Sequence, residues 1–431
     1  MTESNDSRRG KPAAAAGEAR PAERLWSRDY VFDIGVNFLI YIVHFQLMLW
    51  STSYAIANWH VSIGTAGLAS GIFIVGALVA RVPAGRYIDF IGRRRMFLAG
   101  TAMFFLMVLL YRAAPDPNSF MAVRFVHGLA FGTSSTAAST VVAALVPMKR
   151  MGTGIGYFTL GVTMASAIGP FMALSFVSSG NFDLSIYVCT ALTAVIFLLS
   201  FFIKAPERKV TLEERRTARK VSFDAFFARR SLAVAFVAML GGICYSTVLS
   251  FLGEYAHAMN MAEVGGTWFF ICFAATSFLS RPLTGHLLDT RGGNVVLYPS
   301  LVLLAISMGT IAFASSDWML LAGGLLLGAG YGTVTAACHA LAVHCAPLHQ
   351  VGVATSTYFV LLDLGIGVGP YFLGNLVPNF GFPAVYGCAA IISFVGIVLY
   401  YLTLGRQGRF SPARMEADRE LKLEEAAVLG E

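Results

Sequence analysis

Apolar residues in this chain come in long unbroken runs. Twelve can be laid out, over about 30–57, 63–84, 95–112, 119–146, 152–178, 184–204, 231–257, 263–286, 294–314, 318–345, 351–376 and 383–404. Each is long enough to cross a hydrocarbon core, which takes about 20 residues in an α-helix. In lipid every backbone N–H and C=O must be satisfied within the segment or its ladder, so runs of this kind predict helices. A transmembrane barrel would show segments of about ten residues with alternating polarity, and none is written here.

Composition agrees with the pattern. Of 431 residues, 56% are hydrophobic and 13% charged, where a soluble domain has about a quarter charged. Lysine and arginine are unevenly placed: six before residue 30, four over 86–95, two over 147–152, nine over 204–230 and five after 404. The alternate connections near 58–62, 113–118, 179–183, 258–263, 315–317 and 377–382 carry none. By the positive-inside rule both termini are cytoplasmic, which twelve crossings allow, and the expected location is a cell's inner membrane. The net charge of +7 is therefore a matter of topology, and no nucleic-acid partner is expected. Residues 1–29 read as a disordered cytoplasmic tail without a signal-peptide pattern, and 405–431 as a second tail. The six cysteines have no Cys-x-x-Cys spacing, so neither disulfides nor zinc are indicated, and His339, His344 and His349 suggest no metal site. No cofactor is expected.

The chain repeats itself at an offset of 200. Arg81, Gly85, Asp89 and Gly92 return as Arg281, Gly285, Asp289 and Gly292; Gly128, Gly132 and Thr133 as Gly328, Gly332 and Thr333; Gly152 as Gly352; Gly169-Pro170 as Gly369-Pro370. Near the first and seventh spans the offset is 201, where Tyr54-Ala55 meets Tyr255-Ala256. The expected fold is thus all-α, twelve transmembrane helices in two pseudo-symmetric six-helix halves, 30–204 and 231–404, joined by a basic linker over 205–230. Parallel repeats imply an axis along the membrane normal and a site between the halves near the midplane, an arrangement suited to alternating access.

These residues carry a family likeness. The chain resembles the major facilitator superfamily over 30–404. The segment Gly85-x-x-x-Asp89-x-x-Gly92-Arg93-Arg94 is similar to that family's G-x-L-a-D-r-x-G-r-k motif, with Tyr87 for Leu and Phe90 for Arg. Arg124-x-x-His127-Gly128 resembles the R-x-x-q-G motif of drug:proton antiporters. The Gly161…Gly169-Pro170 run resembles g-x-x-x-G-P-x-x-G-G, although Ala165, Ala173 and Leu174 replace three of its glycines. The resemblance implies a cytoplasmic latch in which Gly85, Asp89, Gly92 and Arg93, with their copies Gly285, Asp289 and Gly292, hold one end shut, Asp89 facing the N-terminus of helix 11 near Val351-Gly352. It also implies a role for Arg124 in proton coupling, and export of small amphipathic compounds, with opine metallophore exporters among the narrower possibilities. Other readings of the same residues stand beside these. The basic run anchors its loop, and Arg124 snorkels to the outer interface.

Few carboxylates within the spans can carry a proton: Asp33 at the start of the first, Glu254 in the outer half of the seventh and Asp363 in the middle of the eleventh. Burial favours the protonated form of a carboxyl. Asp33 can also be simply interfacial, Glu254 an outer salt bridge and Asp363 a polar tie in a glycine-rich bend. Asn37, Tyr41 and His44 share a helix face, Gln46 lies nearby, and Tyr245 matches His44 in the repeat. The family resemblance implies that helices 1 and 7 line the central cavity, which makes these five substrate-cavity candidates. Hydrogen bonding to neighbouring helices is the plainer alternative. Gly169-Pro170 and Gly369-Pro370 are expected as bends at which halves gate, with the glycine face of helix 5 against helix 8.

The function expected is a monomeric secondary transporter whose partners are a small-molecule substrate, protons and the bilayer. It exports an organic solute, drug-like or metallophore, by proton-coupled alternating access. The alternative is a proton-coupled uptake symporter for a sugar, organic acid or other metabolite. A transporter-like sensor would need a regulatory domain, and an ATP-driven pump a G-x-x-x-x-G-K-[ST] loop; neither is in the sequence, and no enzyme activity is expected.

Overall fold

In the computed structural model, residues 25–61, 63–178, 180–208, 210, 226–261 and 268–429 are described. Twelve helices run across the bundle. The first six are α1 Arg28–Trp59, α2 Ile63–Ile91, α3 Arg93–Leu110, α4 Pro117–Leu145, α5 Met151–Ser178 and α6 Phe182–Ser200. The second six are α7 Arg229–Ala258, α8 Phe269–Arg291, α9 Gly293–Ala312, α10 Asp317–Cys345 with a π-turn at Gly328–Gly332, α11 Val351–Gly374 and α12 Val377–Tyr400. Eleven of them are long and apolar enough to cross a membrane. The exception is α8, where Arg281, His286, Asp289 and Arg291 dilute the apolar residues.

Packing obeys the repeat. α2 lies along α4 as α8 lies along α10, α1 along α5 as α7 along α11, and α3 along α6 as α9 along α12. Glycines set the closest approaches: a Cβ on Gly128 would lie 2.1 Å from the Phe73 carbonyl oxygen, and one on Gly328 would lie 2.4 Å from that of Phe273. The halves meet through α2 against α11 and, symmetrically, α5 against α8. One buried apolar cluster, containing Ala143 and Ile155 from the first half and Leu288, Leu341 and Val351 from the second, joins the halves at the end where the chain enters α1 and leaves α12. The two other large clusters stay within one half each.

Several helix ends follow from single residues. Asp116 caps α4, accepting from the backbone N–H groups of Asn118 and Ser119 and from the Ser119 hydroxyl. The Ser119 bonds, foremost that from its hydroxyl, hold the Asp116 carboxyl below its ordinary range. Gly92 (φ 105°) and Gly292 (φ 84°) turn the chain in one residue, a conformation open chiefly to glycine.

That economy corrects the loop expected over 86–95. Helix α2 continues through Ile91 and only Gly92 separates it from α3, so Asp89 is helical and Arg93 to Arg95 form the first turn of α3. The glycine face of α5 also differs from expectation. Gly161 approaches Phe38, and a Cβ on Gly169 would lie 2.7 Å from that of Phe45, so both glycines admit α1 rather than α8. Gly369 likewise admits α7 at Ser246 and Ile243, and α5 and α11 stay helical through Pro170 and Pro370. The expected C-terminal tail is instead a helix, α13 Pro412–Leu429, docked on the second half. Phe410 and Met415 are buried there, and the Lys422 ammonium donates to the His344 carbonyl (2.7 Å) at the C-terminal end of α10. A cation at that pole of a helix is favoured by its dipole. Residues 1–24 of the expected N-terminal tail, and 209 and 211–225 of the linker, lie outside the described residues.

Overpacking a close crossing costs about 1–3 kcal/mol. Gly128→Ala should therefore lower the melting temperature in detergent, whereas Gly35→Ala, whose Cβ would meet nothing within 4 Å, should leave it unchanged or raise it.

Candidate functional site

The two copies of the polar motif have different neighbours. Asp89 Oδ1 pairs with Arg93 Nε at 2.8 Å, four residues on across the turn at Gly92, and among the described residues it makes no hydrogen bond to the N-terminus of α11. In the copy, Gly293 stands where Arg93 does, so Asp289 has no arginine four positions on. Its carboxylate instead accepts from the backbone N–H groups of Gly152 (2.7 Å) and Thr153 (3.0 Å) and from the Thr153 hydroxyl (2.8 Å), capping α5 across the interface. A carboxylate at a helix N-terminus is stabilised by about 0.3–1 kcal/mol, up to ~2 when partly buried. The expected latch is therefore made by Asp289, while Arg93 N–H and Arg94 N–H are taken by Glu207 at 2.9 and 3.0 Å. Gly85 and Gly285 do what the motif suggests. A Cβ on Gly85 would fall 2.2 Å from that of Ser356 on α11, and one on Gly285 would fall 2.8 Å from Thr153 Cα on α5. Both inter-half crossings are closed at this end.

Deeper in the bundle lies a cavity of about 110 Å³ between the halves, room for several waters or the body of a small solute. Its walls are the same positions written twice: Phe73 and Phe273, Phe131 and Tyr331, Val162 and Leu362, Ser166 and Ile366, Thr163 and Asp363. Tyr245 stacks on Tyr331 with centroids 4.2 Å apart, and its hydroxyl donates to Ser166 Oγ across the halves at 3.1 Å. His44 stacks on Phe131 (4.4 Å) and Phe73 (5.0 Å).

One ion pair joins the halves beside this cavity. Arg81 Nε of α2 meets Asp363 Oδ2 of α11 at 2.9 Å, with the arginine side chain wholly buried and 20% of the aspartate side chain exposed. Arg81 Nη1 donates to Ser135 Oγ (3.0 Å), its guanidinium lies over the Phe359 ring at 4.5 Å, and the Ser356 hydroxyl donates to its carbonyl oxygen (2.6 Å). The sequence reading marked Arg81 only as a sign of the repeat. An arginine inside an apolar span, present twice at the same register, was the signal that could have singled these positions out.

Other candidates are sorted by the same geometry. Tyr41, His44 and Tyr245 line the cavity with Asp363. Gln46 does not: two residues past His44 it points about 200° around α1 and its amide donates to Ser185 Oγ of α6 (3.1 Å). Asn37 is buried in the first half and is not among the lining residues. Asp33 is fully buried rather than interfacial, and neither carboxylate oxygen has a hydrogen-bond partner among the described residues. Arg124 is buried, over the Phe73 ring at 4.6 Å and donating to Tyr111 Oη (3.2 Å), so it does not reach the outer interface. Tyr111 Oη also meets His127 Nδ1 at 2.8 Å, tying the Arg-x-x-His motif into one cluster. The side chain of Glu254 lies outside the described residues.

Comparison with known proteins places this geometry. The family model of the Major Facilitator Superfamily matches residues 34–298 and 254–426, and the chain belongs to that superfamily. It is 23% identical over 392 residues to an uncharacterized MFS-type transporter of Methanocaldococcus jannaschii, covering 89% of this chain and 97% of that one. It is also 23% identical over 360 residues to the multidrug resistance protein MdtG of Enterobacter lignolyticus, covering 82% and 86%. The fold is similar to the crystal structure of the human organic anion transporter MFSD10, with a TM-score of 0.70 at 15% identity over 86% of this chain and 99% of that one.

Removing one partner of a buried pair costs about 3–5 kcal/mol because a lone charge is left behind. Arg81→Ala and Asp363→Ala should each destabilise by about that much in denaturant titrations, while the double variant loses less than their sum. Additive losses would show that the contact carries no coupling. Pulsed EPR between labels at Lys149 and Arg291 should show the α5–α8 end widening in Asp289→Ala, and little change in Asp89→Ala.

Proposed function

We propose that this multi-pass membrane protein is a proton-coupled antiporter that exports a small organic solute from the cytoplasm, with the Arg81–Asp363 pair as its coupling device. The pair carries this reading because it is the buried charge contact that crosses between the halves at the cavity wall. On the positive-inside rule the closed, basic end is cytoplasmic, so the conformation described faces away from the cytoplasm.

The cycle follows from one titration. With Asp363 ionised, its attraction to Arg81 draws α2 onto α11 and keeps the cytoplasmic end shut. A proton arriving from the outer side neutralises the carboxylate and removes that attraction. What then holds the crossing is the Ser356 bond and the Gly85 contact, and the halves can swing so that the cytoplasmic end opens. There the proton leaves, solute enters, and the pair re-forms to close behind it. The magnitudes are comparable. Losing a buried pair is worth about 3–5 kcal/mol, and turning a 99:1 preference into 1:99 takes about 5.5 kcal/mol. Similarity to MdtG, named for multidrug resistance, favours export over uptake. Asp33 sits on α1 within the first half, so its titration does not act directly on the crossing.

In inverted vesicles carrying the protein, an imposed pH gradient should drive solute accumulation, screened over dyes and organic acids. Asp363→Asn should cut gradient-driven accumulation at least tenfold while solute exchange at equal pH persists. Unchanged gradient dependence in that variant would remove Asp363 from the coupling step.

A further inference from the structure

The two buried arginines of the repeat do not share the same fate. Arg81 has Asp363. Arg281, its counterpart on α8, is 1% exposed, and no aspartate or glutamate among the described residues pairs with it. Its Nη1 donates to the Gly332 carbonyl at 2.8 Å, its Nη2 lies 3.5 Å from Thr163 Oγ1 of α5, and its Nε has no partner. Those contacts satisfy hydrogen bonds but supply no negative charge. A cation held this deep, with its neutralising partner missing, is costly unless an anion joins it.

The register shows where that anion belongs. Thr163 is the repeat position of Asp363, so the carboxylate that completes the α2–α11 crossing is replaced on the α5–α8 crossing by a hydroxyl. Thr163 lines the cavity together with Ser166, Tyr331 and Tyr358, and Arg281, not itself in the lining, is reached through Thr163. The Thr163 hydroxyl accepts from Arg281 and donates to the Thr159 carbonyl at 3.3 Å, and turning its proton out of that long bond lets it donate to a ligand oxygen instead. The walls beyond are aromatic, which suits a flat apolar body more than a sugar.

We infer that the transported solute is an organic anion with an apolar, preferably aromatic, body, whose carboxylate binds at Thr163 and Arg281. This rests on the transport reading above and adds the chemical class of the solute. It also gives loading a mechanical meaning. The solute's carboxylate supplies to α5–α8 the charge that Asp363 supplies to α2–α11, so a loaded, deprotonated transporter closes both crossings at once. The empty, protonated one has neither attraction and opens towards the cytoplasm. Anion and proton thus travel on opposite legs without competing for one site.

The test uses the full chain in nanodiscs and three probes of one shape: 4-phenylbutyrate, its amide and the corresponding amine. Thermal stabilisation and isothermal titration should show the carboxylate binding at least tenfold more tightly than the other two. Arg281→Gln should weaken it by roughly 10- to 100-fold, the scale of one hydrogen bond to a charged group. Thr163→Asp is the decisive variant. It writes into the second crossing the carboxylate that the first already has, so it should leave the melting temperature equal or higher while abolishing 4-phenylbutyrate binding. Preference for the amine, equal binding of all three, absence of carboxylate binding, or full binding in a stable Thr163→Asp protein each overturns the inference. Failure here leaves the Asp363→Asn vesicle result untouched, and failure there leaves the charge preference untouched, so the two readings fall separately.

Discussion

A guanidinium and a carboxylate taken out of water must find each other, and in this protein they do so from different halves of the chain. Arg81 reaches from α2 to Asp363 on α11, and the cavity, the closed crossing beneath it and the glycine contacts at Gly85 all lie around that bond. Charge in a low-dielectric interior acts strongly over short distances and cannot be screened by salt as a surface pair is. On the reading proposed above, a single proton on Asp363 changes the energy of one inter-half crossing by an amount comparable with the whole preference between two conformations.

The repeat explains why the machine has two crossings and why they are not equal. Duplicate positions build the walls, the helix pairings and the glycine approaches, so the two halves close with the same geometry. Two substitutions between the copies divide the labour. Gly293 in place of Arg93 frees Asp289 to cap α5, Arg93 holds Asp89 back from the same task, and Thr163 in place of Asp363 leaves Arg281 without a carboxylate. The first crossing is closed by the protein's own charge and the second by a helix cap at its rim. On the reading proposed above, the second crossing has room for the solute's charge at its centre.

The docked C-terminal helix belongs to the same end. Its Arg419 donates to the carbonyl of Asp289 and its Lys422 to the last carbonyls of α10, so the segment after α12 braces the elements that carry the second cap. Phe410, whose carbonyl accepts from Gly293 N–H, seals the turn at Gly292.

By itself the sequence determined the twelve helices of the bundle and their nature, because only unbroken apolar runs with internal hydrogen bonding can lie in lipid. It determined the two halves too, since one register aligns Gly85, Asp89, Gly128 and Gly169 with their copies. Within the site, Tyr41 and His44 were legible from helical spacing, Tyr245 from the repeat register and Asp363 from the scarcity of charge in the spans, with the family resemblance pointing the first three at the cavity. Tertiary structure decided the rest. Periodicity gives a residue's face on its own helix but not which helix stands opposite, so it could not tell that Gln46 turns to α6 or that α5's glycines receive α1. Nor could it tell whether Asp89 or Asp289 would make the cap, since that turned on a competing arginine four residues away. Partnership between charges hundreds of residues apart is a property of the packed halves, and for that reason the different surroundings of Arg81 and Arg281 became visible when the fold brought Asp363 to one and left Thr163 beside the other.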